Sequence, residues 1–214
     1  MRIIKQAEER KNEIINAANE LFALKGYDGT SVNDILEKVG IAKGTLYHHF
    51  KSKEDILDAL IERFNTKVIE IATNISLDKN VPISGRMVKV VLALNVSESE
   101  EGAEMIELMH KPQNALMHQK SNKLLLETVT PIMANLLSEG VNEGIFNTSF
   151  PYESTEMLLA YAFTVFNGNN LELTEIEMMS RAQAFIYNME RLLGAKSGSL
   201  IEFLQVFRDE ENKA

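Results

Sequence analysis

The sequence lacks several features, and each absence excludes a class of structure. It contains no cysteine, which excludes disulfide bonds, thiolate-bound metal sites and cysteine nucleophiles. Only four prolines occur in 214 residues, and the alternating β-branched pattern of strands is scarce. No apolar run approaches the roughly 20 residues that span a membrane. The first residues are charged with no apolar run behind them, so we expect no signal peptide and a cytoplasmic location.

Charge is distributed unevenly along the chain. The whole sequence has a net charge of −9. Residues 1–53 contain nine basic and seven acidic side chains, a net of +2, which leaves −11 for residues 54–214. This asymmetry predicts two domains, a mildly basic head of residues 1–53 and an acidic body of residues 54–214. Attraction to a nucleic acid depends on the charge of the surface that meets it. The negative net charge of the whole chain therefore does not exclude a nucleic acid as a partner of the head.

Apolar residues recur at helical spacing in the head. A first helix is predicted over residues 7–25 and ends at Gly26. Its apolar stripe consists of Ile14, Ala17, Ala18, Leu21 and Phe22. Ser31 opens a second, short helix through a Ser-x-x-Asp capping box, and a third covers about residues 42–48. A fourth over residues 53–75 is about 35 Å long at ~1.5 Å per residue, enough to join the head to the body.

Further helices are predicted for the body. Their ranges are 83–94, 98–110, 113–140, 151–166, 172–193 and 199–208. Pro131 lies inside the third of them, where we expect a kink or a break, whereas Pro151 suits the first turn of a helix. The predicted fold is therefore all-α, with an N-terminal three-helix domain and a C-terminal helical domain.

The second and third helices of the head match the helix-turn-helix pattern, because a short turn that contains Gly40 joins them. Leu46 and Phe50 lie four residues apart and are expected to pack inward. The outward residues are Lys43, Gly44, Thr45, Tyr47, His48 and His49. A solvated helix face would instead favour strong helix formers. The alternative is an ordinary three-helix bundle with a stray aromatic residue and two histidines.

Contact with DNA explains these residue types. The first residues of a recognition helix reach base edges, so Lys43 can donate to guanine acceptors and Thr45 can contact bases. Gly44 allows the helix to approach the groove closely. Tyr47 and the two histidines can reach phosphate oxygens, which position a protein without reading sequence.

Three residues outside the third helix are further candidates for phosphate contacts. Thr30 and Ser31 place hydroxyl groups at a helix N-terminus, where anions bind. Lys53 lies in the first turn of the fourth helix, where a positive charge opposes the helix dipole. A phosphate bound nearby would account for this lysine.

The stretch from Thr30 to Leu57 resembles the DNA-binding domain of the TetR family of transcriptional regulators. It reads TSVNDILEKVGIAKGTLYHHFKSKEDIL, and residues 14–27 resemble the first helix of that domain. Ala42 departs from the pattern, because a helix-capping serine is frequent at this position.

The resemblance implies an Ω-shaped, all-helical homodimer that binds a palindromic operator in double-stranded DNA. It also implies a small ligand bound in the C-terminal domain, and repression relieved by that ligand. DNA contacts carry over onto Thr30, Ser31, Lys43, Gly44, Thr45, Tyr47, His48, His49 and Lys53.

The body is rich in methionine, an adaptable side chain that suits varied apolar ligands, although any single methionine can simply belong to the core. With two phenylalanines and a few polar groups, these residues predict a largely apolar effector pocket. The candidate effector residues are Met105, Met109, His110, Asn114, Met117, His118, Met133, Phe163, Phe166 and Asn167.

Two amphipathic helices near residues 152–166 and 172–193 are expected to form the dimer as a four-helix interface. Their apolar stripes are equally compatible with the core of a monomer, and the resemblance favours the dimer.

The sequence does not favour an enzyme. Glu107 and His110 have the Glu-x-x-His spacing of di-metal helix bundles, but no second copy exists. Hydrolase elbows, phosphate-binding loops and HExxH motifs are absent. We expect no cofactor and no metal, with a single-metal effector site at His110 and His118 as the alternative. An interaction module that has lost DNA binding would carry acidic or bulky residues at positions 43–48, and this chain does not.

Overall fold

The computed structural model describes residues 2–94, 108–109, 111–166 and 174–208, except for the side chains of residues 2–6 and 208. Its α-helices are α1 (Arg2–Gly29), α2 (Val32–Val39), α3 (Lys43–His49), α4 (Lys53–Leu77), α5 (Ile83–Leu94), α6 (Ala115–Asn142), α7 (Pro151–Val165), α8 (Glu175–Leu192) and α9 (Gln205–Arg208). Short 3₁₀ helices cover Pro112–Asn114 and Ile201–Leu204. The described residues contain no β-strand, which confirms the all-α prediction. Most of the predicted helix over residues 98–110 lies outside the described residues.

The ends of the short helices follow from local chemistry. The Ser31 hydroxyl accepts a hydrogen bond from the Asp34 amide while the Asp34 carboxylate accepts one from the Ser31 amide, which confirms the capping box. Gly40 ends α2 in the left-handed conformation with φ of 73°, which glycine adopts without strain. At the start of α3, Ala42 makes no side-chain cap, as its departure from the family pattern indicated.

Two expected interruptions have different outcomes. Gly26 has φ of 76° and ψ of 163° inside α1, so the helical conformation breaks where the sequence predicted, although one more turn follows. Pro131 lies inside α6, which is continuous from Ala115 to Asn142. The break considered there does not occur, although proline contributes no backbone N–H to the helix.

The chain divides into two compact units, and the boundaries at residues 66/67 and 124/125 lie inside α4 and α6. The first unit comprises residues 1–66 and 97–124, and the second comprises residues 67–96 and 125–214. The unit that contains the helix-turn-helix is therefore larger than the head of residues 1–53 that charge predicted.

The core of the first unit joins α1, α2 and α3 to the first half of α4. Ile14, Phe22 and Ile35 are fully buried in it, as is Leu46. Phe50 is 4% exposed. The inward packing predicted for Leu46 and Phe50 is therefore confirmed, and the opposite face of α3 remains at the surface.

The second unit has a separate core and a partly buried ion pair. Arg86, 2% exposed, donates to the Glu139 carboxylate at 2.5 Å and to the Ser76 carbonyl at 2.9 Å. Lys79 also pairs with Glu139. The Arg86 guanidinium and then Lys79 lower the pKa of Glu139 to about 2 from an ordinary 4.5. The pair fastens α5 to α6 and to the C-terminal turn of α4.

Candidate nucleic-acid interface and ligand cavity

Five of the six outward residues predicted for α3 are exposed. Lys43, Gly44, Thr45, Tyr47 and His48 lie at the surface. The Tyr47 side chain is 45% exposed, and the Lys43 ammonium lies 5.8 Å from the centre of its ring. A lysine, a hydroxyl and an aromatic ring thus share one short, accessible helix.

Gly44 has no packing reason to be glycine. A Cβ built on it meets no heavy atom within 4 Å, and its φ is not positive. A glycine inside a helix costs roughly 0.5–1 kcal/mol relative to alanine. Because no neighbour within the described chain requires this residue, a close approach by a partner outside the chain is the physical reason that fits.

The two histidines at the end of α3 differ in environment. Their ring centres lie 5.2 Å apart, with ring planes at 78°. His48 is exposed and His49 is half-buried. Burial, followed by the charges of His48, Arg10 and Lys11, lowers the pKa of His49. At neutral pH His49 is therefore the weaker candidate for an ionic contact with phosphate.

Thr30 does not offer its hydroxyl to the surface. It is 1% exposed, and the hydroxyl donates to the Gly26 carbonyl at 2.8 Å, with the Leu21 carbonyl at 3.3 Å. The hydroxyl satisfies the carbonyls at the kink of α1. The Thr30 hydroxyl therefore has a structural role within the chain, and a DNA contact by Thr30 stays a prediction.

Lys53 is also explained within the chain. Its ammonium donates to the carbonyls of Tyr27 and Thr30 at 2.6 and 2.8 Å and lies 4.0 Å from the centre of the Tyr27 ring. Positive charge at the C-terminal end of a helix is favourable. The sequence predicted a phosphate contact because it showed no partner within the chain for the Lys53 charge. The structure shows such partners, the carbonyls at and just after the end of α1.

Ser31 is exposed, but its hydroxyl is occupied by the capping box. The Asp34 carboxylate beside it is bound by Lys25 at 2.6 Å. Lys25 first, and then Ser31, hold the pKa of that carboxyl well below its usual range. A DNA contact by Ser31 stays a prediction.

Sequence reasoning left two basic residues without a role. Arg10 and Lys11 of α1 lie close enough to His49 to act on its pKa. The fold places them near the end of α3 although they lie 39 and 38 positions before His49 in the sequence. In the sequence, only the number of basic residues in the head pointed to Arg10 and Lys11, because neither belongs to a motif.

The second unit contains a cavity of about 100 Å³. Its lining comprises Met87, Val91, Leu94, Leu125, Met133, Leu137, Thr155, Leu158, Leu159, Ala162, Phe163, Phe166, Phe185, Met189, Leu193, Phe203, Val206 and Phe207. Met133, Phe163 and Phe166 are the predicted effector residues that line it. The lining is apolar apart from Thr155, in line with the predicted chemistry of the ligand.

Four other predicted effector residues lie in the first unit and do not line this cavity. Met109 and Met117 are buried in the core of that unit. Asn114 is fully buried, where it accepts from the Tyr27 amide at 2.8 Å and donates to the Leu108 carbonyl at 2.9 Å. His118 is half-buried, with Nε2 3.4 Å from the Asn122 amide nitrogen. They do not line the cavity of the second unit, and a contact between them and an effector stays a prediction.

The remaining predicted effector residues, Met105, His110 and Asn167, lie outside the described residues, as does Glu107. Where the structure does describe the chain, no three His, Cys, Asp or Glu side chains lie close enough to hold a metal ion.

The prediction missed most of the lining. Met87 and Met189 belong to the methionine-rich composition that indicated a pocket. Phe185 lies in the predicted dimer helix of residues 172–193, and Phe203 and Phe207 lie in the predicted helix of residues 199–208, to which the sequence assigns no role. The lining comes from α5, α6, α7, α8 and the C-terminal segment of residues 193–208, and local spacing does not show which of these meet.

Two apolar stripes had been expected to form a dimer interface. In α8, the buried residues Ala182, Ile186 and Met189 pack within the second unit, so the monomer-core alternative is correct for them. Other apolar side chains remain at the surface, among them Met157 of α7 at 63% and Ile176 of α8 at 82%.

No helix within the described ranges is both long enough and apolar enough to cross a bilayer.

Comparison with known proteins gives matches over most of the chain. The family model described as bacterial regulatory proteins, tetR family, matches residues 14–60. The model described as tetracyclin repressor-like, C-terminal domain, matches residues 96–187. The transcriptional regulator UidR of Escherichia coli K12 is 26% identical over 198 residues, which cover 88% of this chain and 93% of that protein.

Two further matches agree with these. The fatty acid metabolism regulator protein of Bacillus subtilis is 31% identical over 156 residues, which cover 66% of this chain and 73% of that protein. A solved structure, a transcriptional regulator of the TetR/AcrR family from Thermobifida fusca, superposes with a TM-score of 0.54 at 23% identity. That match covers 86% of this chain and 96% of the other.

Proposed function

Because the chain belongs to the TetR family of bacterial transcriptional regulators, we propose that it is a repressor that binds a palindromic operator as a homodimer. A small, largely apolar effector releases it from the DNA. The observation that carries the proposal is the surface of α3, where a Cβ built on Gly44 would meet no heavy atom within 4 Å and where Lys43 and Thr45 on either side are exposed.

The contacts with DNA divide by their position on α3. Lys43 and Thr45 lie in its first turn, which enters the major groove and reaches base edges. Tyr47 and His48 lie in the next turn and reach phosphate oxygens. Lys53 and the Thr30 hydroxyl are left out of this set, because carbonyls of the chain itself occupy them.

The homodimer is proposed to form through the exposed faces of α7 and α8. Met157, Tyr161, Ile176 and Tyr187 are apolar or aromatic side chains that remain more than 40% exposed in the single chain. A second copy of the same faces would bury them in a four-helix arrangement. A two-fold dimer of this kind matches a two-fold operator.

The effector is proposed to occupy the cavity of the second unit. The protein itself is proposed to act in the cytoplasm. The ligand can release the operator only if it binds the DNA-free state better than the DNA-bound state.

Selection of binding sites from random double-stranded DNA with the purified full-length protein tests the proposal. The expected result is a palindrome whose half-sites are centred about 34 Å apart, one helical turn. Sedimentation at micromolar concentration should show a dimer. A selected site without two-fold symmetry, or a monomer that binds a palindrome, would overturn the architecture.

Two variants test whether the exposed faces of α7 and α8 form the dimer interface. Ile176→Asp and Met157→Asp place charge on the exposed faces and should shift sedimentation toward the monomer and weaken operator binding. Leu24→Asp, on an α1 side chain that is 77% exposed, is the control, and the dimer should persist in it.

A further inference from the structure

The chemistry of the cavity wall limits the class of compound that the cavity can bind. This inference rests on the proposed role of the cavity as the effector site. Thr155 is the one polar residue among the described lining residues. Its hydroxyl donates to the Pro151 carbonyl of its own helix at 2.8 Å. Among the described residues, an ionised group inside the cavity would therefore lose its hydration and find no partner, which is strongly unfavourable.

One wall of the cavity is aromatic. The ring centre of Phe166 lies 4.6 Å from that of Phe207, with ring planes at 61°. It lies 5.6 Å from that of Phe185, with planes at 71°. These are edge-to-face arrangements, which aromatic rings prefer because their faces are negative and their edges positive. Phe163 and Phe203 add two more rings to the lining.

The aromatic wall is assembled from three separate parts of the chain. Phe166 follows α7, Phe185 lies in α8, and Phe207 belongs to the C-terminal segment. The segment is held in place by the buried Glu190 carboxylate, which accepts hydrogen bonds from the amides of Gly198 and Leu200 at 2.9 Å each. The edges and faces that a ligand meets are thus fixed by the fold.

The size of the cavity limits the ligand to a compact group. A cavity of ~150 Å³ in another protein accepts one benzene ring, and this one measures about 100 Å³. Met87, Met133 and Met189 also line it, and methionine side chains adapt readily to a guest. Small shifts of these side chains would admit a single ring, whereas a long acyl chain would need a much larger rearrangement.

We propose that the ligand of this cavity is an uncharged compound whose buried part is a single aromatic ring. The ring takes an edge-to-face position against Phe166 and Phe185 and is enclosed on the other sides by methionine and leucine. A saturated ring of the same size would fill the space but would lack the electrostatic part of this contact.

Calorimetry on the full-length protein tests the ligand class with four probes. Toluene and methylcyclohexane compare an aromatic ring with a saturated one, benzoate adds a charge, and octan-1-ol represents an extended chain. Toluene should bind roughly two- to tenfold more tightly than methylcyclohexane, the range that edge-to-face contacts add. Benzoate should show no binding. Equal binding of the two rings, or tighter binding of octan-1-ol, would overturn the proposal.

A matched pair of variants tests whether the Phe185 ring causes the preference for toluene over methylcyclohexane. Phe185→Leu keeps the wall apolar but removes a ring, so the ratio of toluene to methylcyclohexane affinity should fall toward one. Phe150→Leu makes the same change on a side chain that is 65% exposed and outside the cavity, and the ratio should stay as in the parent. A ratio unchanged in a folded Phe185→Leu protein contradicts the aromatic contact. If circular dichroism shows that Phe185→Leu is unfolded, the four probes on the parent protein decide.

Operator release, measured separately by gel shift, distinguishes this inference from the proposed function. Toluene that binds with the stated preference but releases no DNA would support the ligand class and contradict the ligand-controlled repressor. Release by octan-1-ol, with no binding of toluene, would support the repressor and overturn the ligand class.

Discussion

The surface of α3 and the cavity of the second unit are both suited to a partner, but they are built in opposite ways. The exposed α3 residues belong to one helix of seven consecutive positions, which the buried Leu46 holds to the core. The cavity residues come from four helices and the C-terminal segment, and they pack on one another. The first site can therefore change without disturbing the fold, whereas the second is part of the fold.

The largest expected effect is on stability, at the cavity. Phe203 is 6% exposed and lines the cavity wall, so Phe203→Ala should lower the free energy of unfolding by about 3–5 kcal/mol. Urea denaturation followed by circular dichroism measures it. Phe150→Ala is the control, since that ring is 65% exposed and its loss should change little. If both variants lose the same stability, the cavity wall is not part of the folding core.

The next largest effect should be on DNA binding alone. Lys43→Ala should cost ~1–3 kcal/mol at the preferred base and alter the selected sequence, with the melting temperature unchanged. Lys51→Ala removes a charge from an exposed side chain just after α3 and should leave the sequence preference intact. The same preference profile in both variants would mean that Lys43 contacts only the DNA backbone.

A variant of Lys53 tests whether this residue acts in DNA binding or in the stability of the fold. It lies close to α3 but contacts carbonyls of its own chain, so Lys53→Ala should lower stability by about 1–3 kcal/mol, as charged hydrogen bonds do. The salt dependence of operator binding should not change. A slope of log affinity against log salt that fell by about 0.9 would instead indicate a lost phosphate contact.

The helices and the outward face of α3 could be predicted from the sequence because the information is local. Periodicity, the Ser31 cap and the residue types of α3 all lie within a few turns of chain. The contacts that Lys53 and Asn114 make within the chain could not be predicted because their partners are distant. Both contact Tyr27, which is 26 and 87 residues away, and a carbonyl or amide of the backbone leaves no mark in the sequence. Most of the cavity lining escaped prediction for the same reason, since the wall depends on which helices pack together.

The smallest expected effect separates the two kinds of site most sharply, because Gly44→Ala should move stability and function in opposite directions. The added methyl group meets nothing within 4 Å, so α3 should gain roughly 0.5–1 kcal/mol, seen as a higher urea midpoint. The same methyl group would stand between the helix and the groove, so operator affinity in a gel shift should fall. Gly85→Ala, in α5, is the control for DNA binding and should leave affinity unchanged. A Gly44→Ala protein that is more stable and binds the operator as tightly as the parent would remove the physical reason given for this glycine, and with it the observation that carries the proposed DNA contact.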